Sequence, residues 1–323
     1  MAVHEMPLTT RKSGFLVTAR ARLRPSLSFV ATVARLRPGF AAGYVIVGTV
    51  LLLTLFAPWL SPYDPVRADP TQYLLPPSPQ HWLGTDNTGM DVATRIIYAP
   101  RIDLVIALLG TFVSAAIGAP LGALVGYYDG RRPAQAAIAT GVMRIADVLQ
   151  AFPVFVFAIC LVAVFGQSIG SIVAAIAFVN IPIYLRLMRT QVLTLRGMRF
   201  VEAAYVAGAS DITILRRHVI PNAMAPALSQ LSINVGMAIL ITAALSFVGA
   251  GVEAPTPEWG SMIASGFQSV MTGQWWPSVF PGIALGLTVF GFALIGASIE
   301  VLADPVERGR LLKDAGQRGR KGA

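Results

Sequence analysis

A chain of 323 residues that is 55% hydrophobic and 13% charged carries about half the charge of a soluble domain, where roughly 25% is usual; a bilayer hides that much apolar surface and water does not. The net charge of +9 comes with no basic patch and interleaved aromatics outside the apolar runs, which excludes nucleic-acid binding and points to basic loops held on one side of a membrane. One cysteine, Cys160, and three scattered histidines, His4, His81 and His218, exclude an intrachain disulfide and argue against a metal site built by this chain alone.

In chain order, residues 1–39 form a basic tail with seven Lys and Arg residues against one acid, Glu5. The first apolar run, 40–57, ends at Pro58, where a cleaved signal peptide would need small residues. An uncleaved first span with the tail inside is expected. The outer loop 58–101 opens with Pro58, Pro62, Pro65, Pro70, Pro76, Pro77 and Pro79, which predicts an extended, ordered segment. Apolar runs follow at 102–128, 145–165, 167–187, 223–249 and 279–302, each long enough for a hydrocarbon core of about 30 Å. The third and fourth spans are separated only by Gly166 and Gln167 and predict a tight hairpin. A cytoplasmic loop at 188–222, a second outer loop at 250–278 and an inner tail at 306–323 complete the chain, with residues 40–305 as the membrane domain. This orientation puts 22 Lys and Arg residues inside and three outside (Arg67, Arg95 and Arg101), a strong bias of the kind that sets topology.

The ionisable residues near spans, Asp103, Asp147 and Glu300, stand close to span ends. A proton- or ion-coupled carrier of about six spans would want such groups at the midplane. An intramembrane hydrolase would want a buried nucleophile and base, yet the spans hold no histidine, and Asp103 and Asp147 fall towards opposite faces. The neutral polar residues within spans are Asn180, Gln230 and Asn234; hydrogen bonding between helices and lining a path are both open readings.

The loop at 202–221 predicts two short helices. Glu202 lies near the start of the first, where an acid suits the positive helix end, and Gly208 ends it. Ser210 or Asp211 can cap the second; Arg216, Arg217 and His218 fall in its last turn, and Pro221 is expected to stop it. Ala203, Ala204, Ala207 and Ala209 leave a narrow surface that can enter a groove on another protein, though an ordinary loop on the membrane surface has the same pattern. A phosphate-cradling loop needs GxxxxGK[ST], and the only lysines, Lys12, Lys313 and Lys321, stand in no such sequence. If ATP drives this protein, another chain binds it.

Glu202-Ala203-Ala204, with Gly208 four residues on and Pro221 thirteen beyond that, resembles the EAA signature of bacterial ATP-binding-cassette importer permeases. The stretch 81–91, with Gly84, Thr85, Asp86, Gly89 and Asp91, is similar to the outer-loop signature of the dipeptide, oligopeptide and nickel permeases, with Met90 where an arginine is usual. Residues 144–153, 246–260, Phe280-Pro281-Gly282 and Asp304-Pro305 look like the same family. The likeness runs over about 40–305 and favours the C-type subunit of the permease pair. It implies an all-α integral membrane protein with the type I importer permease fold and about six transmembrane helices. It further implies a non-enzymatic role as half of a translocation path for di- and oligopeptides, with nickel or glutathione as alternative cargo. The implied partners are a homologous second permease, two cytoplasmic ATPases that hold the ATP and Mg, and a periplasmic or lipid-anchored solute-binding protein. The implied place is the bacterial cytoplasmic membrane, with both termini inside. Glu202, Ala203, Ala204, Gly208, Asp211, Arg216, Arg217, His218 and Pro221 are then the ATPase-coupling residues. Gly84, Thr85, Asp86, Gly89 and Asp91 stand on the binding-protein side, and Asn180, Gln230 and Asn234 are candidates for the path.

Overall fold

A computed structural model describes residues 38–303; most of the 1–39 tail, the 306–323 tail and Asp304-Pro305 lie outside the described residues. The helices are α1 (Pro38–Leu55), α2 (Ala57–Leu60), α3 (Val92–Tyr98), α4 (Pro100–Tyr128), α5 (Pro133–Ala151), α6 (Val154–Phe165), α7 (Ile169–Leu195), α8 (Arg199–Val206), α9 (Asp211–Ile214), α10 (Ile220–Phe247), α11 (Trp259–Val270) and α12 (Trp276–Ala303). Among the described residues, five stretches are long and apolar enough to cross a membrane: α1, α3 with α4, α7, α9 through α10, and α12. The pair α5 and α6 makes a sixth only if its 87° bend is counted within one span.

The third expected span, 145–165, is thus divided between α5 and α6. Pro153 lacks an amide hydrogen and pushes Phe152 to an extended ψ of 134°. The twelve residues of α6 rise only about 18 Å at about 1.5 Å each, short of a core of about 30 Å. Beyond Gly166 and Gln167, α6 returns as α7 in the expected hairpin, with Phe157 and Phe178 stacked at 4.3 Å between centroids.

The α4–α7 seam is built from small residues. Gly118, Gly122 and Gly126 recur every fourth position on α4 and let its backbone meet that of α7. A Cβ at Gly118 would sit 2.5 Å from the Ile181 carbonyl oxygen, and one at Gly126 would sit 2.7 Å from that of Arg189. Where α10 meets α12, serines serve the same end: Ser229 and Ser232 donate to the carbonyls of Gly296 (2.8 Å) and Phe292 (2.7 Å). The buried side chains form two clusters. One holds Ile106, Ile172, Ile239, Trp259 and Trp276, and the other holds Tyr127, Met188, Val192, Val201, Ile214, Leu215 and Val219.

The outer loop 58–101 is ordered by side chains as well as by proline. Tyr63 stacks on His81 at 4.7 Å, and Asp69 caps a short turn at Pro70–Gln72. The second outer loop, 250–278, contains α11, whose first amides at Gly260 and Ser261 bond to Glu258 at 2.9 and 2.8 Å.

Candidate functional site

The element at 199–219 starts from its buried face. Val201 of α8, Ile214 of α9, and Leu215 and Val219 beyond it pack on Ala123 and Tyr127 of α4 and on Met188 and Val192 of α7. The element therefore rides on the ends of α4 and α7, and Ala223 and Ala227 of α10 join the same cluster. Its other face is open: Tyr205 is 65% exposed, Val206 82% and Ile212 56%. Exposed apolar side chains grouped in this way are the kind of surface that contacts another protein or a membrane.

Gly208 turns the chain between α8 and α9 with φ +81°, a left-handed conformation that side chains disfavour. Its amide bonds to the Tyr205 carbonyl at 2.9 Å, and that of Ala209 bonds to Ala204 at 3.1 Å, closing the end of α8. Ser210 then caps α9 through the Thr213 amide. Glu202 lies in the first turn of α8 and Asp211 in that of α9. Ala203 and Gly208 are exposed, and Ala204 is half-buried.

Pro221 does not stop the second helix, contrary to the sequence expectation. A π turn at Leu215–Val219 bonds the Ile220 amide to the Leu215 carbonyl. That wider turn shifts the hydrogen-bond ladder just before the proline, so the helix continues through Pro221. Residues 211–247 accordingly run as one apolar helical stretch. Arg216, Arg217 and His218 sit in the π turn.

Glu202 and Asp211 come together with Arg131, Arg132 and Arg196 around a cleft of about 630 Å³ between α4, α5, α7, α8 and α9. Arg216, Arg217, His218 and Pro221 do not line it. Asp211 Oδ1 accepts from Arg131 at 2.6 Å and from the Tyr127 hydroxyl at 3.0 Å. The Arg131 bond holds the Asp211 carboxyl below the usual carboxylate range, with the Tyr127 hydroxyl adding to the effect. Arg131 also lies over the Tyr127 ring at 4.2 Å. Arg196 closes the end of α4 by donating to the carbonyls of Gly126, Tyr127 and Asp129 at 3.1, 3.3 and 2.5 Å, and Arg189 pairs with Asp129 at 2.7 Å. Sequence reasoning counted these arginines only as inside charge. The sequence showed only that Arg189 and Arg196 are seven apart, on one helix face; that α4 ends beside them is decided by the tertiary structure.

The outer-loop residues Gly84, Thr85, Asp86, Gly89 and Asp91 are all buried. Asp86 accepts from the amides of Thr88 (2.8 Å) and Met90 (3.0 Å). Thr85 accepts from the Leu75 amide at 2.8 Å, and its carbonyl accepts from the Trp276 indole at 3.1 Å. Asp91 caps α3 and bonds to His81 at 2.9 Å. Gly89, at φ +79°, presses on the Asp69 backbone so closely that no Cβ fits. These residues shape the loop, and Trp82, 78% exposed, is what the stretch presents outward. Met90 is buried against the Arg95 guanidinium. Arg95 joins the two outer loops by donating to Pro65 (2.9 Å) and Pro255 (3.2 Å), with Asp86 at 3.7 Å.

Of the polar residues within spans, Gln230 donates to Asn234 at 2.7 Å, and Asn234 abuts Tyr184 of α7. Asn180 stands one turn before Tyr184; the side-chain nitrogens of Asn180 and Asn234 are buried with no acceptor among the described residues. Asp103, which the sequence placed near a span end, is 1% exposed, accepts from the Trp259 amide at 3.2 Å and faces Glu258, whose full burial the sequence did not reveal.

Long apolar helices, a glycine-lined seam and a firmly based helix pair presented at one face define a multi-span helical membrane protein. Residues 118–308 match the family described as binding-protein-dependent transport system inner membrane component, and residues 35–77 match the N-terminal transmembrane domain of oligopeptide transport permease C. The chain belongs to this family of transport permeases. It is 39% identical over 266 residues, 82% of this chain and 87% of the relative, to the probable D,D-dipeptide transport system permease protein DdpC of Escherichia coli K12. It is 38% identical over 81% of its length to the dipeptide transport system permease protein DppC of Alkalihalophilus pseudofirmus, covering 84% of that relative. It is 37% identical over 83% of its length to the glutathione transport system permease protein GsiD of Escherichia coli O157:H7, covering 86% of that relative. Its fold resembles a chain in an inward-facing structure of the MetNI methionine ABC transporter, with a TM-score of 0.51 at 20% identity over 65% of this chain and 96% of that one.

Proposed function

We propose that this chain is one permease of an ATP-driven importer of di- and oligopeptides in the bacterial cytoplasmic membrane, with both termini inside. It works with a homologous permease, two ATPase subunits that bind ATP and Mg, and an outer solute-binding protein. The observation that carries this reading is the helix pair 199–219, with an open apolar face and a buried face fastened to α4, α7 and α10. Relatives named for dipeptides support the cargo. A relative named for glutathione supports a second reading, import of that short peptide through the same path.

The ATPases close on ATP and push Tyr205, Val206 and Ile212. Packing transmits displacement because the interior is dense and has few voids to absorb it. The push therefore moves the inner ends of α4 and α7 together, locked by Arg189 with Asp129 and by Arg196 on the α4 carbonyls. The α7–α10 contact then shifts, and Asn180, Gln230 and Asn234 offer amides to the peptide backbone of the cargo. Arg216, Arg217 and His218, at the base of α10, face the cytoplasmic side.

The test is peptide uptake into liposomes holding the full complex. Uptake should require ATP and both ATPases, and Val206→Asp should abolish it while the permease pair still assembles. Uptake without the ATPases, driven by a proton gradient, would refute the reading. Cysteine labelling at Glu253 and Arg131, in a Cys160→Ser background, should report opposite sides of the membrane.

A further inference from the structure

An apolar groove of about 300 Å³ runs between α1, α3 and α12, lined by Val45, Val50, Leu53, Ile96, Ala284 and Leu287 among others, and no ionisable side chain among the described residues lines it. Around it α1 and α12 expose Leu52 (58%), Leu55 (64%) and Ile283 (52%), side chains that need hydrocarbon beside them. Along α1 the groove extends from Val45 to Thr54, a rise of about 14 Å at about 1.5 Å per residue. That is about half of a hydrocarbon core of about 30 Å, the depth of one leaflet. A docked transmembrane helix would ask for a groove of full depth.

The mouth of the groove has a cation. The residue four beyond Thr54 is Pro58, which has no amide hydrogen, so the Thr54 carbonyl loses its helical partner. Arg101 takes its place: Nε and Nη2 both donate to that carbonyl at 3.2 Å. Its guanidinium lies 4.7 Å from the Tyr98 ring centroid. Arg101 is exposed and makes no ion pair among the described residues. Arg95, by contrast, is buried and bonded within the outer loops. A guanidinium held at the interface above an apolar slot one leaflet deep complements a phosphate on an acyl chain.

We propose that this groove is a phospholipid site: one acyl chain fills the slot and the lipid phosphate pairs with Arg101, in the outer leaflet on the orientation given above. The lipid wedges α1 against α3 and α12 and so steadies the first span against the core.

The experiment is native mass spectrometry of the full importer complex, titrated with phosphatidylglycerol, with diacylglycerol and with inorganic phosphate. Wild type should retain phosphatidylglycerol and neither of the others, since the site needs both chain and phosphate. Arg101→Gln should lower retention about fivefold, the scale of one basic residue near an anionic headgroup. Ala284→Trp, which fills the slot, should remove the binding. Arg101 is exposed, so its variant should fold, and thermal unfolding in detergent verifies this. Equal retention by wild type and Arg101→Gln would overturn the proposal, because the lipid would be adventitious annular lipid only. So would an efficient cross-link from Leu53→Cys to the sister permease, because a protein would then occupy the groove.

Discussion

Gly208 allows the docking role of the helix pair to be separated from its folding. Its φ of +81° is open to glycine and costs any other L residue about 1–2 kcal/mol. A Cβ built there meets no atom within 4 Å, so there is no steric penalty to add. The whole internal cost of Gly208→Ala is that backbone strain, small beside a domain stability of about 5–15 kcal/mol. Gly208→Arg has the same internal cost and places its extra bulk in the space outside the chain. Both variants should reach the membrane, pair with the sister permease and unfold at nearly equal temperatures. They should differ in co-purification of the ATPases and in substrate-stimulated hydrolysis, with the arginine variant far weaker. Glu202→Ala removes one charge in the first turn of α8, worth about 0.3–1 kcal/mol, and should be milder than either. If Gly208→Arg stimulates hydrolysis at the wild-type level, no partner closes over this turn and the coupling argument fails.

Gly122→Ala should act oppositely, on the fold: its Cβ would lie inside contact distance of the Leu185 backbone, 2.9 Å from the Cα, and such overpacking costs about 1–3 kcal/mol. Thermal unfolding of the permease should show that loss, and Gly141→Ala, where a Cβ meets nothing within 4 Å, should not. Arg95→Ala removes the buried partner of Asp86 and the donor to Pro65 and Pro255, a class of change that costs about 3–5 kcal/mol; limited proteolysis should cut the outer loops faster. The Arg131–Asp211 pair is part exposed, 34% and 39%, and so is worth about 0–1 kcal/mol. Because the Asp211 pKa is lowered on folding, that contribution is complete above its unfolded pKa of about 4 and is lost as pH falls through the folded value. A double-mutant cycle with Arg131→Ala and Asp211→Asn should therefore give the same coupling at pH 7 and pH 6, and a smaller one at pH 3.

The amino-acid sequence determined what depends on one segment at a time. Apolar run length decided that α1, α4, α7, α10 and α12 reach across a bilayer, because a helix satisfies its own backbone in lipid. The Glu202–Ala203–Ala204 and Gly208 spacing marked the helix pair, because glycine and helix-end charge act locally. The tertiary structure decided what depends on neighbours far along the chain. The apolar run at 145–165 read as one span, and only the structure divides it at Pro153 into α5 and α6 with an 87° bend. Pro221 looked like a stop, and the π turn carried by Leu215 and Val219 on α4 and α7 lets the helix run on through it. Arg196 reads as an inside charge until α4 ends beside it with three carbonyls to satisfy. Asp86 and Asp91 read as outward-facing acids until the loop closes over them. Local propensity is written within a few residues, whereas burial and the partners of a charge are set by segments that meet only when the helices pack.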